Sequence, residues 1–383
     1  MEKKIKVFVD AHTFDREYQG VRTFIKEIYN ILLERYPSLE LFFGAENINQ
    51  IRLNFPLAKP GNIIEYKSKI SLVRFVKDIP SILTEHEIDF AHFQYLVPPG
   101  PKHCRYIVTT HDILFNDFKS DFSFTYRYVR NFLFKRSILK ADIKTTVSEY
   151  SKERIAHYFH TPSQEIHVIP NGVNGTFGSK FASRETASDF IFSKFGIRDY
   201  ILYVSRIEAR KNHIILLKTY IEEKLYEKDL SLVFIGKESI AVKELNTYLV
   251  SLTPQQKSNI HWISQVDQSD LEAFYKGCRL FAYLSKAEGF GIPPLEAAVA
   301  KVPVLCANKT AMAEYDFFTP FLFDPYNAED FRAKLLQLLS SKIGGLELER
   351  IANEVLERYS WERSAEILYK LISTYDVRNT RHS

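Results

Sequence analysis

The sequence predicts an α/β protein built from two doubly wound, Rossmann-like domains in tandem. Three observations carry this. Short β-rich apolar runs alternate with amphipathic helical patterns, the alternation halts near residue 172 and restarts at Tyr200, and 383 residues exceed what one hydrophobic core usually fills. Strand–helix–strand alternation places parallel strands in a sheet covered by helices on both faces.

Taken in order, "KIKVFVDA" reads as the first strand and is followed by a helix from about Gly20. "LELFFGA", "NIIEYKS", "DFAHFQYL", "YIVTTHD", "IKTTVS" and "IHVIP" are further strands, with helical sequence between several of them and a helix from Glu149. Residues 172–188, "GVNGTFGSKFASRETAS", are rich in Gly, Ser and Thr without periodicity and read as an interdomain linker. The second series is "YILYVS", "LSLVFIG", "IHWIS", "LFAYLS", "PVLCA" and "FLFD". The segment Ser360–Asp376 is an amphipathic helix with Trp361 near its start. Two doubly wound domains in tandem are expected to leave a cleft faced by the carboxyl ends of both sets of strands, where ligands bind in open α/β sheets.

Composition narrows the function classes. An apolar content of 45% with 26% charged residues is that of a soluble globular chain. "MEKKIKVFVD" lacks a signal-peptide pattern and no apolar run reaches the roughly 18 residues of a membrane span, so a cytoplasmic protein is expected. Cys104, Cys278 and Cys306 are scattered in apolar contexts without metal-ligand spacing, which predicts reduced structural thiols, no zinc site and no disulfide framework. The net charge of +4 lies in the first half, where residues 1–175 hold 24 Lys+Arg against 20 Asp+Glu. Within it, Tyr126–Lys144 interleaves six basic residues with Phe, Leu, Tyr and Ile. That is either an amphipathic basic helix for an anionic membrane surface or a core-facing helix with a solvated basic side. No nucleic-acid-binding motif accompanies the charge.

Four clusters can carry chemistry. In "SKAEGFGIPPLE" (Ser285–Glu296), Gly289 and Gly291 let the backbone approach a ligand, and Pro293 and Pro294 mark a helix start. Amides there suit an anion, while Glu288 and Glu296 are better used accepting hydrogen bonds from hydroxyl groups. A ligand with both phosphates and hydroxyls, such as a nucleotide sugar, fits both; the bland alternative is a turn cap and a solvated first-turn acid. Arg206 and Lys211, in "RIEARKN", lie just past a strand end, where fixed positive charge neutralises a departing pyrophosphate. His111 and Asp112, in "TTHD", end another strand and together can orient a hydroxyl. Gly20 starts the first helix and offers amides to phosphate. The dinucleotide fingerprint G-x-G-x-x-G is absent after the first strand, which disfavours an NAD-dependent oxidoreductase.

Taken together, "GVRTFIKEI", "VTTHDI", "TVSEYSKERI", "IHVIPNGV", "YILYVSRIEARKN", "AEGFGIPPLEAAVAKVPVL", "FDPYN" and "SWERSAEIL" resemble the retaining glycosyltransferases of family 4, which have the GT-B fold. The most specific element is E-x7-E, met by Glu288 and Glu296, with Arg206 and Lys211 at the family spacing. The resemblance implies an N-terminal acceptor-side domain over residues 1–175, joined by the helix 361–383, and a nucleotide-sugar donor domain over residues 176–360. It implies that Glu288 contacts the donor sugar, that the amides of Gly289, Phe290 and Gly291 bind its hydroxyls or phosphate, and that Glu296 holds the ribose. Arg206 and Lys211 would grip the diphosphate, Gly20 would admit it, and His111 with Asp112 would lie on the acceptor side. Neither a metal nor a cofactor beyond the donor substrate is expected.

The sequence departs from the family pattern at "YQGVRT", where many relatives carry a glycine pair, and at Ala313–Glu314, where relatives often have Pro-Glu. "HFQYLVPP", "TTHDILF" and "EARKN" look most like bacterial mannosyltransferases of O-antigen and capsule assembly. This gives GDP-mannose as donor, a lipid-linked saccharide as acceptor, and a peripheral position on the inner membrane face. The alternatives are a UDP-sugar or GDP-fucose donor, or a nucleotide-sugar-binding partner protein without catalysis.

Overall fold

The computed structural model describes residues 4–15, 20–239, 241–341 and 343–380. The chain forms two compact units, Met1–Gly172 with Trp361–Ser383, and Val173–Ser360. Tyr18 and Gln19 of "YQGVRT" and the last three residues of the 361–383 helix lie outside the described residues.

The first unit holds seven strands: β1 (Ile5–Asp10), β2 (Leu39–Ala45), β3 (Ile63–Glu65), β4 (Phe90–Gln94), β5 (Arg105–Thr109), β6 (Ile143–Thr146) and β7 (Ile166–Val168). They pair in parallel in the order β3-β2-β1-β4-β5-β6-β7. Val7, Phe8 and Val9 are fully buried, because β1 lies inside a sheet covered on both faces and therefore reads as a continuous apolar run. Val9 stands opposite both Phe43 and His92. After β1 the chain moves towards β2, and after β4 it moves the other way towards β5. The crevice between the carboxyl ends of β1 and β4 is thus the switch point of this sheet.

Helix Gly20–Arg35 buries Phe24, Ile25, Ile28, Tyr29 and Leu32 at helical spacing. The helix Trp361–Thr380 packs on it, with Tyr369 stacked on Tyr36 and Trp361 edge-on to Phe24. This returning helix is anchored by Ser364 Oγ, which donates to the Pro170 carbonyl at 2.6 Å.

The second unit holds β8 (Tyr200–Val204), β9 (Ser231–Ile235), β10 (Ile260–Ile263), β11 (Leu280–Tyr283), β12 (Val304–Ala307) and β13 (Leu322–Phe323). They are parallel in the order β10-β9-β8-β11-β12-β13, so its switch point lies between β8 and β11. The doubly wound class expected for both halves is the one observed.

Two local expectations are corrected. The supposed linker already contains the start of a helix, Arg184–Phe195. Ser183 and Thr186, whose composition suggests a loop, form a reciprocal capping box at its N-terminus. Phe177 in the same stretch is buried against Tyr275, so the segment is part of the second unit's packing. The basic helix is Phe124–Lys140 and stops short of Lys144, which lies on β6 and donates to Glu165 at 2.9 Å. All three cysteines are unpaired, and burial pushes the Cys278 thiol up to about 12.

Candidate active site

In the second unit, the loops that follow β8 and β11 flank the switch point and carry the charged residues. Lys211 ends a short 3-10 turn, Ala209–Lys211, after β8; Glu288 lies on the loop after β11. Both are buried, and Lys211 Nζ is bonded to Glu288 Oε1. Tyr283, the last residue of β11, donates its hydroxyl to the same carboxylate oxygen at 2.9 Å. Arg210 adds a second cation. Its Nη1 donates to the Ala287 carbonyl at 2.7 Å and lies 3.4 Å from Glu288 Oε2, while its Nη2 is 2.9 Å from Glu208 Oε2. The backbones are also tied, since Lys286 N–H donates to the Arg210 carbonyl at 2.8 Å.

Electrostatics follow from this geometry. Burial alone would push the Glu288 carboxyl up, but Lys211 and Arg210 outweigh it and hold the group down at about 2. Burial, with Arg210 adding to it, draws Lys211 below the ordinary lysine range, and Glu288 opposes that shift. A pair taken this far out of water is costly unless its remaining polar atoms are bonded, as they are here through Tyr283 and Arg210.

The Glu288 backbone is fixed from a third loop. Its N–H donates to Thr310 Oγ1 at 2.9 Å, and Thr310 adopts a left-handed φ of 56°. A β-branched residue rarely takes that conformation, so local strain is accepted where the acid is positioned. Gly291 has φ 97° and caps the helix Ile292–Val299, and a Cβ there would meet Met312 Cγ at 3.3 Å. Pro293 and Pro294 follow it inside the first turn, which leaves Ile292 as the helical amide free to face an anion. Phe290 is a core side chain, edge-on to Tyr315 and Tyr359, and its carbonyl accepts from Tyr315 Oη at 2.7 Å. Only its amide remains for a ligand.

Glu296 lies one turn into the same helix and has a different environment. Tyr275 Oη donates to its Oε2 at 2.8 Å. Burial pushes its carboxyl up to about 7, the Tyr275 bond opposes this, and neighbouring Glu272 adds to the rise. The two acids of the motif are therefore pulled in opposite directions, Glu296 towards its neutral form and Glu288 towards its ionised form.

In the first unit, His111 stands just past β5 and is buried. Its Nε2 lies 2.8 Å from the side chain of Gln94, the last residue of β4. Asp112 does not hold the ring; its Oδ1 accepts from Leu114 N–H at 3.2 Å and closes a local turn. Phe24 and Tyr95 pack against the imidazole with ring centroids 5.1 and 5.5 Å away. Tyr95 has a left-handed φ of 64°, a second strained residue at a switch-point loop. Gly20 starts its helix with nothing within 4 Å of where a Cβ would sit, so packing does not demand glycine there.

The residues singled out from sequence therefore separate into groups. Lys211, Glu288, Gly289, Phe290, Gly291 and Glu296 gather around the β8/β11 switch point. Arg206 is not bonded to Glu288; its side chain is 62% exposed and its Nε lies 3.6 Å from Glu208 Oε1. Arg210, Tyr283 and Thr310 join the site without being marked as candidates by the sequence, and of these only Arg210 lies inside one of the chemistry-bearing motifs, "RIEARKN". Glu314 closes the 3-10 turn Thr310–Glu314. Among the described residues no group of three or more His, Cys, Asp or Glu is placed to hold a metal ion.

Two doubly wound units, one with a buried cation–carboxylate cluster at its switch point, define a GT-B protein. The family model for glycosyl transferases group 1 matches residues 186–357, and the model for Glycosyltransferase Family 4 matches residues 18–176. The chain belongs to the glycosyltransferases that carry these two domains.

The serotype-specific mannosyltransferase WbdA of Escherichia coli is 26% identical over 234 residues, 60% of this chain but 28% of WbdA, so the match spans little more than a quarter of that relative. O-antigen chain mannosyltransferase B of Escherichia coli is 26% identical over 323 residues, 79% of this chain and 81% of that protein. Among solved structures, Anabaena HepE in complex with UDP and glucose shares the fold, with a TM-score of 0.70 at 16% identity over 97% of this chain and 100% of its own.

Proposed function

We propose that the protein transfers a hexose, mannose from GDP-mannose, to a lipid-linked saccharide acceptor in cell-surface polysaccharide synthesis, with retention at the anomeric carbon. The observation that carries this reading is the buried Lys211–Arg210–Glu288 cluster with Glu296 eight residues on, in the unit matched by the group 1 model. The two mannosyltransferase relatives support the sugar.

In the proposed reaction the bond from the sugar's anomeric carbon to the diphosphate oxygen breaks. A bond to the acceptor oxygen forms on the same face, and the acceptor's proton passes to the departing phosphate. Lys211 and Arg206 would balance the charge that builds on the diphosphate, and Glu288 would hold sugar hydroxyls through bonds that strengthen as the ring acquires positive charge. Glu296 would accept from the ribose diol. With these fixed cations in place, the reaction is proposed to run without a divalent metal.

The helix Phe124–Lys140 gives the lipid-linked part of the proposal a physical basis. Phe124, Tyr128 and Phe132, spaced four apart, are 73%, 68% and 65% exposed, and Arg127, Arg130, Lys135 and Arg136 lie between and beyond them. Exposed aromatics interleaved with cations suit the headgroup region of an anionic bilayer. No helix among the described residues is long and apolar enough to cross a membrane.

The test is a thermal-shift series with GDP, UDP, ADP and NAD, with and without magnesium and with EDTA. A ligand at about 100 times its Kd adds roughly 2.7 kcal/mol. A shift with GDP that survives EDTA is expected. A shift with UDP alone would replace the donor, and UDP is included because HepE holds it. No shift with any nucleoside diphosphate would overturn the reading.

A further inference from the structure

His111 ends a buried chain of hydrogen-bonding groups that is longer than its packing needs. Tyr29 Oη lies 2.6 Å from His92 Nδ1, and His92 Nε2 lies 2.7 Å from Thr109 Oγ1 and 3.2 Å from Gln94 Nε2, so that as placed Gln94 Oε1 is the end that faces His111. The other end of that carboxamide meets His111 Nε2 at 2.8 Å. Beyond Thr109, its Oγ1 lies 2.6 Å from Thr145 Oγ1, which reaches the Val108 carbonyl at 3.2 Å. Tyr29, His92, Thr109 and Thr145 are all at zero exposure.

The direction of donation along this chain is set by its two ends. The Val108 carbonyl only accepts, so Thr145 donates to it and Thr109 must donate to Thr145. Thr109 then accepts from His92, which places the His92 proton on Nε2. At the other end the buried Tyr29 hydroxyl needs an acceptor, and His92 Nδ1 provides one when its proton is on Nε2. Both ends select the same His92 tautomer. Burial pushes both imidazoles down to about 3, so each ring carries one proton at neutral pH.

With its one Nε2 proton given to Thr109, His92 offers no lone pair at Nε2, so a Gln94 NH2 placed 3.2 Å away sets donor against donor; a half-turn of the carboxamide puts its oxygen on that side and its NH2 on the His111 side and removes the conflict. The two ends of a carboxamide have the same shape, so the hydrogen-bond chain decides which end faces which ring. The NH2 then donates to His111 Nε2, and the His111 proton resides on Nδ1.

We infer that Gln94 and His92 are positioning residues that hold His111 as its Nδ1–H tautomer, so that the ring presents a hydrogen-bond donor to a ligand oxygen and cannot act as the base for an incoming hydroxyl. Among the described residues Nδ1 has no other partner, which leaves it for that oxygen. The inference rests on the glycosyl-transfer reading for the ligand's identity, a sugar or phosphate oxygen. It agrees with a reaction in which the departing phosphate, and not the protein, takes the acceptor's proton.

The experiment is a 15N–1H long-range correlation spectrum of protein with 15N-labelled histidine at pH 7, with the His111 ring assigned by its absence in His111→Gln. Expected is a protonated Nδ1 and an unprotonated Nε2 on His111, with the reverse on His92. In Gln94→Leu the His111 ring should lose this single tautomer and show both. A wild-type His111 protonated at Nε2 overturns the inference, as does a Gln94→Leu ring that remains purely Nδ1–H. The spectrum requires no donor or acceptor, so its outcome is separate from that of the nucleotide series. If Gln94→Leu fails to fold, the wild-type spectrum decides alone.

Discussion

Lys211 and Glu288 meet as a buried ion pair across two loops 77 residues apart, with Glu288 held from further sides by Arg210 and Tyr283. In the proposed function such a pair serves structure and ligand binding at once, and a single substitution confounds the two. Removing one member leaves the other's buried charge without its main partner and costs up to about 3–5 kcal/mol of stability, less for Lys211→Met because Arg210 still faces Glu288. Lys211→Met and Glu288→Gln should each lower the melting temperature and each cut sugar transfer by at least about tenfold, near 1.4 kcal/mol at the transition state. The double variant should regain most of the stability and none of the activity. A double variant that transfers sugar normally would remove both residues from the donor site.

Arg206 and Arg210 are close in sequence but differ in what they hold, and this separates their expected effects. Arg210 is wedged between Glu208, the Ala287 carbonyl and Glu288, whereas Arg206 is largely in water. Arg210→Met should lower the melting temperature and the turnover number together, because Glu288 loses a wall. Arg206→Met should leave melting unchanged and lower kcat/KM for the donor by about tenfold, the value of one charge-assisted contact. Steady-state kinetics alongside calorimetry checks both, and a stability loss for Arg206→Met would place that side chain in the fold instead of on the donor.

Glu296 offers a pH signature. Its folded carboxyl, raised to about 7, holds a proton that the unfolded chain releases near the ordinary glutamate value of 4.5. Between those values the native state binds more protons, so its contribution to stability falls as pH rises through this window and is fully lost above it. Glu296→Gln removes the effect and should be more stable than the wild type by on the order of 2 kcal/mol at pH 8, with little difference at pH 4.5. Nucleotide affinity should move the other way. In the wild type it should strengthen as the carboxylate forms near pH 7, and the Gln variant should bind more weakly at pH 8. Thermal melts and nucleotide titrations at both pH values check this; a Gln variant no more stable at pH 8 would show that the carboxylate is well solvated.

What could be read in the sequence follows from physical range. The central strands are legible because a parallel strand buried on both faces is a continuous apolar run, as in Val7–Val9 or Leu280–Tyr283. Glu288 and Lys211 were legible because glycine, proline and charge at strand ends mark them locally. Arg210 and Arg206 are not told apart by local sequence, because only three-dimensional contact with Ala287 distinguishes them. Thr310 and Tyr283 act through single hydrogen bonds to Glu288 that leave no local pattern, and Gln94 is joined to His111 across neighbouring strands in register, Gln94 opposite Thr109. The helix Arg184–Phe195 was hidden because its cap residues, Ser183 and Thr186, have the composition of a loop.

The helix Phe124–Lys140 carries the last prediction, and its own contacts determine how it should be tested. Not every cation on it is free to meet lipid. Arg130 lies over Tyr126 and Phe134, and Arg136 and Lys140 donate to the Pro98 carbonyl at 3.4 and 3.0 Å. Replacing those residues would disturb packing as well as charge. The exposed stripe is the cleaner target, since Phe124, Tyr128 and Phe132 face solvent while Phe134 and Ile138 are the helix's buried apolar residues. Replacing all three by Ser should leave melting within about 1 kcal/mol of wild type. It should reduce cosedimentation with vesicles containing phosphatidylglycerol, each ring removing apolar area from the headgroup boundary. Wild-type binding should also weaken as salt rises, because the cations act through a screened field. Binding that ignores both salt and the triple substitution would assign the stripe to something other than a bilayer, and absent wild-type binding would remove the membrane from the proposed function.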